Sequence, residues 1–72
     1  MPYHRAMRRA EDTSRIVSVL VRAGSLGLTS RELSLRLDIP PERLEPSLRR
    51  VVDSGDVYVE HDVGGPARYV AV

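Results

Sequence analysis

The sequence predicts an α+β fold, three helices followed by a C-terminal β-hairpin, in one small domain. Three observations carry that prediction. Between Thr13 and Gly55 the apolar residues recur at helical spacing in three runs separated by glycine or proline. The TSRE run from Thr29 to Glu32 has the pattern of a capping box, in which cap and third helical residue satisfy each other's backbone donors. After Gly55 the apolar period falls from 3.6 to 2, the mark of strands.

Residues 1–12, MPYHRAMRRAED, read as a flexible or partly helical basic arm, and residues 13–72 as the folded domain. His4, Arg5, Arg8 and Arg9 occur there without an acid among the first nine residues. Such a segment is a solvated chain end or an arm that reaches phosphate or a minor groove. Asp12 or Thr13 is placed to cap the first helix, which runs to Gly24 with Ile16, Val19, Leu20 and Ala23 inward. Val17 and Val21 widen its apolar surface. Because β-branched residues keep its intrinsic propensity low, this helix needs packing on two sides. Self-association would supply the second side, as would cover from the arm or the last strand. In the connection from Ser25 to Leu28, Leu26 and Leu28 are both expected to reach the core, Leu28 as a stub of strand.

The second helix starts at the Thr29 cap, carries Leu33 and Leu37 on one stripe, and is expected to stop before Pro40, which disfavours helix in the preceding residue. Pro41 then fits the first position of a third helix, where its missing N–H costs nothing. Leu44, Leu48, Val51 and Val52 form the buried face of that helix, and Ser54 with Gly55 ends it. Two helices joined by a short turn make a helix-turn-helix pattern. Pro46 is the discordant residue, since an interior proline normally costs about 3 kcal/mol. A bent, continuous helix is expected, because Leu44 stays in phase with Leu48 and Val51. Beyond it, Val57, Val59 and His61 alternate with Tyr58, Glu60 and Asp62, VGGP turns the chain, and ARYVAV returns as the second strand.

Composition narrows the function classes. The 72 residues contain no cysteine, so neither disulfides nor thiolate metal sites support the fold, and 42% hydrophobic content is that of an ordinary globular domain. The longest apolar run, Ile16 to Val21 broken by Ser18, is too short to cross a bilayer, and no secretory signal is visible, so a cytoplasmic protein with no membrane partner is expected. Net charge is only +1; all eleven basic residues are arginine, which a GC-rich genome alone would produce and which also supplies forked contacts suited to phosphate and guanine.

The segment GLTSRELSLRLDIPPERLEPSLRRVVDSGDVYVEHDVGGPARYVAV resembles the winged helix-turn-helix domain of many bacterial, archaeal and phage transcription regulators, with Leu33, Leu37, Ile39, Leu44, Leu48, Val51, Gly55 and Val57 at matching positions. The resemblance spans residues 13–72 and names no subfamily. It implies a double-stranded DNA-binding protein that regulates transcription, with residues 41–53 as recognition helix and 57–72 as wing. It further implies that Arg43, Ser47, Arg49 and Arg50 face DNA from the recognition helix. Ser30 and Arg31 would touch backbone from the preceding helix, Arg68 from the wing, and Arg5, Arg8 and Arg9 from the arm. A homodimer through the first helix and the arm is expected, because one module makes few base contacts.

The departures are acidic. Glu42, Glu45 and Asp53 lie on or beside the implied reading surface, and Glu45 with Arg49 stands where relatives specialised for left-handed DNA carry asparagine and tyrosine. That activity is not carried over. A second reading follows, in which the same helix and wing bind a protein of the transcription machinery. No catalytic constellation is apparent: His4 and His61 are remote from each other, and Gly64 and Gly65 tip a hairpin rather than open a phosphate-binding helix. No enzyme activity, metal or cofactor is expected.

Overall fold

Asp12, expected as a helix cap, lies inside a helix and is buried. The computed structural model describes residues 2–72, with side chains from Glu11 onward, and its first helix, α1 (Pro2–Ala23), runs straight through the expected start. The reason is a competing partner: the Asp12 carboxylate takes the guanidinium of Arg43 instead of a backbone N–H at a helix start. Among the described residues, Ile16 and Leu20 form the fully buried stripe of α1, flanked by half-buried Val17, Val19 and Ala23.

A 3-10 turn (Gly24–Leu26) then leads to β1 (Leu28–Thr29). Leu28 is buried as expected, but Leu26 is 73% exposed. The turn redirects the chain so that Gly27, not Leu26, comes against the sheet. A Cβ on Gly27 would lie 2.5 Å from the Tyr69 carbonyl oxygen and 2.7 Å from Val70 Cγ2, and its φ is +65°, so glycine is required twice over.

α2 (Ser30–Leu37) begins with both halves of the capping box formed: the Glu32 N–H donates to Thr29 Oγ1 at 3.2 Å, and the Thr29 N–H donates to Glu32 Oε1 at 3.0 Å. Its end is set earlier than Pro40. Asp38 adopts the left-handed conformation (φ 54°), and the Ile39 N–H reaches back to the Ser34 carbonyl at 3.2 Å, the six-to-one bond of a Schellman turn. The Leu37 carbonyl is completed from another element, accepting from Arg15 Nη2 at 2.6 Å. An arginine of α1 thus caps the negative end of α2.

α3 (Pro41–Asp53) is continuous through Pro46. Magnitudes explain why. Leu44, Leu48 and Val51 are buried, contributing roughly 1.5–3 kcal/mol each, against the proline's cost of about 3 kcal/mol. Pro46 and Glu42 are both exposed, so the carbonyl left without a helical donor is on the side that water reaches. The helix ends in a second Schellman turn, with the Asp56 N–H on the Val51 carbonyl and the Gly55 N–H on the Val52 carbonyl, both at 3.1 Å, and Gly55 at φ +85°.

β2 (Val57–Glu60) and β3 (Arg68–Ala71) form the hairpin, and β1 pairs with the free edge of β3, giving an antiparallel sheet of order β1-β3-β2. Val57 faces Ala71, Val59 faces Tyr69 and Glu60 faces Arg68, while Leu28 faces Tyr69 on the other side. His61, expected to extend the alternation, lies beyond the strand and is exposed. Three helices with this small antiparallel sheet make an α+β layout compatible with a winged helix. Its core joins Ile16 and Leu20 of α1, Leu33 and Leu37 of α2, Ile39, Leu44, Leu48 and Val51 around α3, and Leu28 and Val57 of the sheet. No helix of the described residues is long and apolar enough to cross a membrane.

Candidate nucleic-acid interface

The four expected contact residues of α3 separate into three environments. Ser47 is 3% exposed, on the same face as Leu44, Leu48 and Val51, and cannot touch a ligand in the groove of a nucleic acid. Sequence placed it outward because a small polar residue beside two leucines carries no sign of which side of the stripe it joins.

Arg43 is committed within the chain. Its Nε donates to Asp12 Oδ2 at 2.9 Å and its Nη2 to Asp12 Oδ1 at 3.2 Å, a forked pair across 31 residues of sequence. The aspartate side chain is 5% exposed and the arginine side chain 46%. A carboxylate buried at that depth without a compensating cation is costly, and the guanidinium supplies one. Arg43 is therefore a structural clasp between α1 and α3, and only part of its guanidinium is left for any ligand.

Arg49 and Arg50 remain. Both are exposed, and among the described residues neither forms an ion pair. They diverge, however, by about 100° around the helix. Arg50, two turns beyond Arg43, is on the edge that faces α1, where it lines a groove with Thr13, Ser14 and Val17. Arg49 is on the solvent face, opposite the core stripe, one turn from both Glu45 and Asp53 and two turns from Glu42. Glu45 and Arg49 could close a bridge at this spacing, but the ion pairs of the described residues are Arg43–Asp12 and Arg68–Asp62. Glu45 instead bears on the sheet: burial raises the pKa of the Tyr69 hydroxyl, and the Glu45 charge raises it further.

At the start of α2, Ser30 is half-buried and Arg31 exposed. Arg68, at the start of β3, meets Asp62 at 3.4 Å with both side chains about half exposed, a contact worth little in water. The side chains of Arg5, Arg8 and Arg9 lie outside the described residues.

Two further arginines come into play that sequence reasoning did not single out. Arg22 of α1 and Arg36 of α2 line a surface groove with Arg68, Thr29, Glu32 and Pro66. Three cations from three elements meet there because β1 docks the start of α2 against the wing. Glu32 lies among them, its carboxyl held below the usual carboxylate range first by the hydrogen bonds with Thr29 and then by the charges of Arg36 and Arg68. No sequence signal links Arg22, Arg36 and Arg68, which are too far apart along the chain for any local pattern. Among the described residues no group of three or more His, Asp or Glu side chains forms a metal-binding cluster.

Compared with family models and with curated proteins, the chain matches none.

Proposed function

We propose that this chain is a winged-helix protein that binds double-stranded DNA and regulates transcription in the cytoplasm, acting by binding rather than by catalysis. The observation that carries the reading is that Arg31 and Arg49, one on each helix of the helix-turn-helix, are exposed cations without an ion pair among the described residues. Each is free to exchange its counterions for phosphate oxygens or a guanine edge. Arg68 and the nearby Arg22 and Arg36 add positive charge on the wing side. Two copies on two half-sites would multiply the few contacts one module makes.

The test is fluorescence anisotropy with a labelled duplex across a salt series. Binding should weaken steeply as salt rises, and the Arg31→Ala/Arg49→Ala double variant should lose it while melting like the parent. Absence of duplex binding at low salt would sink the reading.

A second reading has an observation of its own. Glu42, Glu45 and Asp53 surround Arg49 on the solvent face of α3, and carboxylates repel phosphate at that range. Those acids would be matched by a protein partner with a complementary basic patch. Glu42→Gln/Glu45→Gln/Asp53→Asn separates the two: it strengthens duplex binding if DNA is the ligand and abolishes capture of the partner if a protein is.

A further inference from the structure

Among the described residues, part of the apolar face of the first helix is left open. With 22 residues it spans about 33 Å, in a molecule whose long axis is 42 Å and whose other axes are 21 and 19 Å. Ile16 and Leu20 are consumed by the core, but Val21 is 63% exposed and Val17 only half-buried. Ser14, Val17 and Val21 follow one another at intervals of three and four residues. In sequence the same alternation of intervals continues upstream through Ala10, Met7 and Tyr3, the spacing of a coiled-coil seam.

Beside this seam runs a groove formed by Ser14, Val17 and Ser18 of α1 and by Arg50, Val51 and Asp56 across from them. Its charges are unevenly met. Asp56 accepts from Ser54 Oγ at 3.0 Å, whereas Arg50 has no ion pair among the described residues. Glu11, one turn before Ser14 on α1, is likewise exposed and unpaired among the described residues.

We propose that the groove is filled by α1 of a second copy of this chain, running antiparallel, with Glu11 of each copy paired to the partner's Arg50. The occupant is a second copy because the patch is complementary to itself. A two-fold contact brings the same surface together twice, so it needs both halves of each charge pair on that one surface, and Glu11 and Arg50 meet that condition. Ser14 and Ser18 let two helix backbones approach closely, and the valines provide the apolar contact. Arg31 and Arg49 do not line this groove. The pairing deepens the two-copy part of the proposed function, but it can fail without it.

The experiment is sedimentation equilibrium of the full chain over a range of concentrations, with circular dichroism to verify each variant's fold. The parent should dimerise, and Val21→Glu, at an exposed position, should weaken the dimer at least about tenfold. Glu11→Arg and Arg50→Glu should each do the same, and the combined E11R/R50E chain, which restores the pair in reverse, should recover to near the parent's constant. A parent chain that stays monomeric at about 100 μM overturns the proposal, and so does a dimer indifferent to Val21→Glu or one that the reversed pair fails to rescue. A chain that dimerises as described yet ignores duplex DNA refutes the nucleic-acid reading alone. One that binds duplex only as a monomer refutes this pairing alone.

Discussion

Arg43 and Arg49 stand six residues apart on one helix and are opposites. The first is locked by two hydrogen bonds to a buried aspartate on another helix, and the second extends into water among three acids without closing a bridge to any of them. Residue type and helical spacing treat the two alike. What divides them is which element lies against each edge of α3: α1 brings Asp12 to one side, and nothing of the described chain covers the other. An arginine is therefore assigned to structure or to a ligand by its neighbour across the fold, and the charge composition of its own helix is a poor guide.

Arg43→Ala should break this comparison most visibly. It leaves the Asp12 carboxylate buried without its cation, and urea unfolding should show a loss of roughly 2–3 kcal/mol, moderated by the half-exposed position of the arginine. Asp12→Ala removes both the charge and its need for a partner, so a double-mutant cycle should return a coupling of more than about 0.5 kcal/mol. If Arg43→Ala were as mild as Arg49→Ala, the clasp would not exist in solution.

Pro46→Ala sharpens the view of the exposed face. Restoring the helical N–H to the Glu42 carbonyl should raise stability by about 1 kcal/mol or more, the helical gain exceeding the entropy that proline removes from the unfolded chain. A loss in thermal melting would mean that Pro46 fits this helix better than its missing donor suggests.

Thr29→Ala should cost about 1 kcal/mol, the usual value of a good cap. The same box makes a pH prediction. Because the folded Glu32 pKa is lowered, its contribution is complete above the unfolded value of 4.5 and disappears as pH falls through the lower, folded value. Glu32→Gln should accordingly flatten the acid limb of stability against pH, and an unchanged limb would count against the capping box. At the small end, Arg49→Ala should leave stability within about 0.5 kcal/mol of the parent, since it removes an exposed side chain with no ion pair among the described residues. Its whole effect should fall on binding.

Elements whose cause is local were readable in advance. The Thr29 cap, Pro41 at the start of α3, Gly55 at its end and the change of period at Val57 each depend on a few consecutive residues, and the structure has them where they were expected. Pro46 is the instructive case among these, because a local rule argued for a break and the phase of three buried side chains prevailed. The errors arise where a residue answers to something distant. Asp12 was one of two candidate caps, Ser47 was read as a ligand contact, and Leu26 as core. Arg43 holds Asp12 from another helix, the Gly27 approach to β3 turns Leu26 outward, and Ser47 is buried on the face of α3 that packs into the core.

The chain by itself determined the kind of fold and the limits of its elements, because backbone conformation and the apolar period respond to neighbours a few residues away. Tertiary structure alone decided which of the arginines from Arg15 onward are paired within the chain and which are not. Ion pairing depends on distances of a few ångströms between groups up to 31 residues apart, such as Arg43 and Asp12, and those distances exist only once the helices have packed.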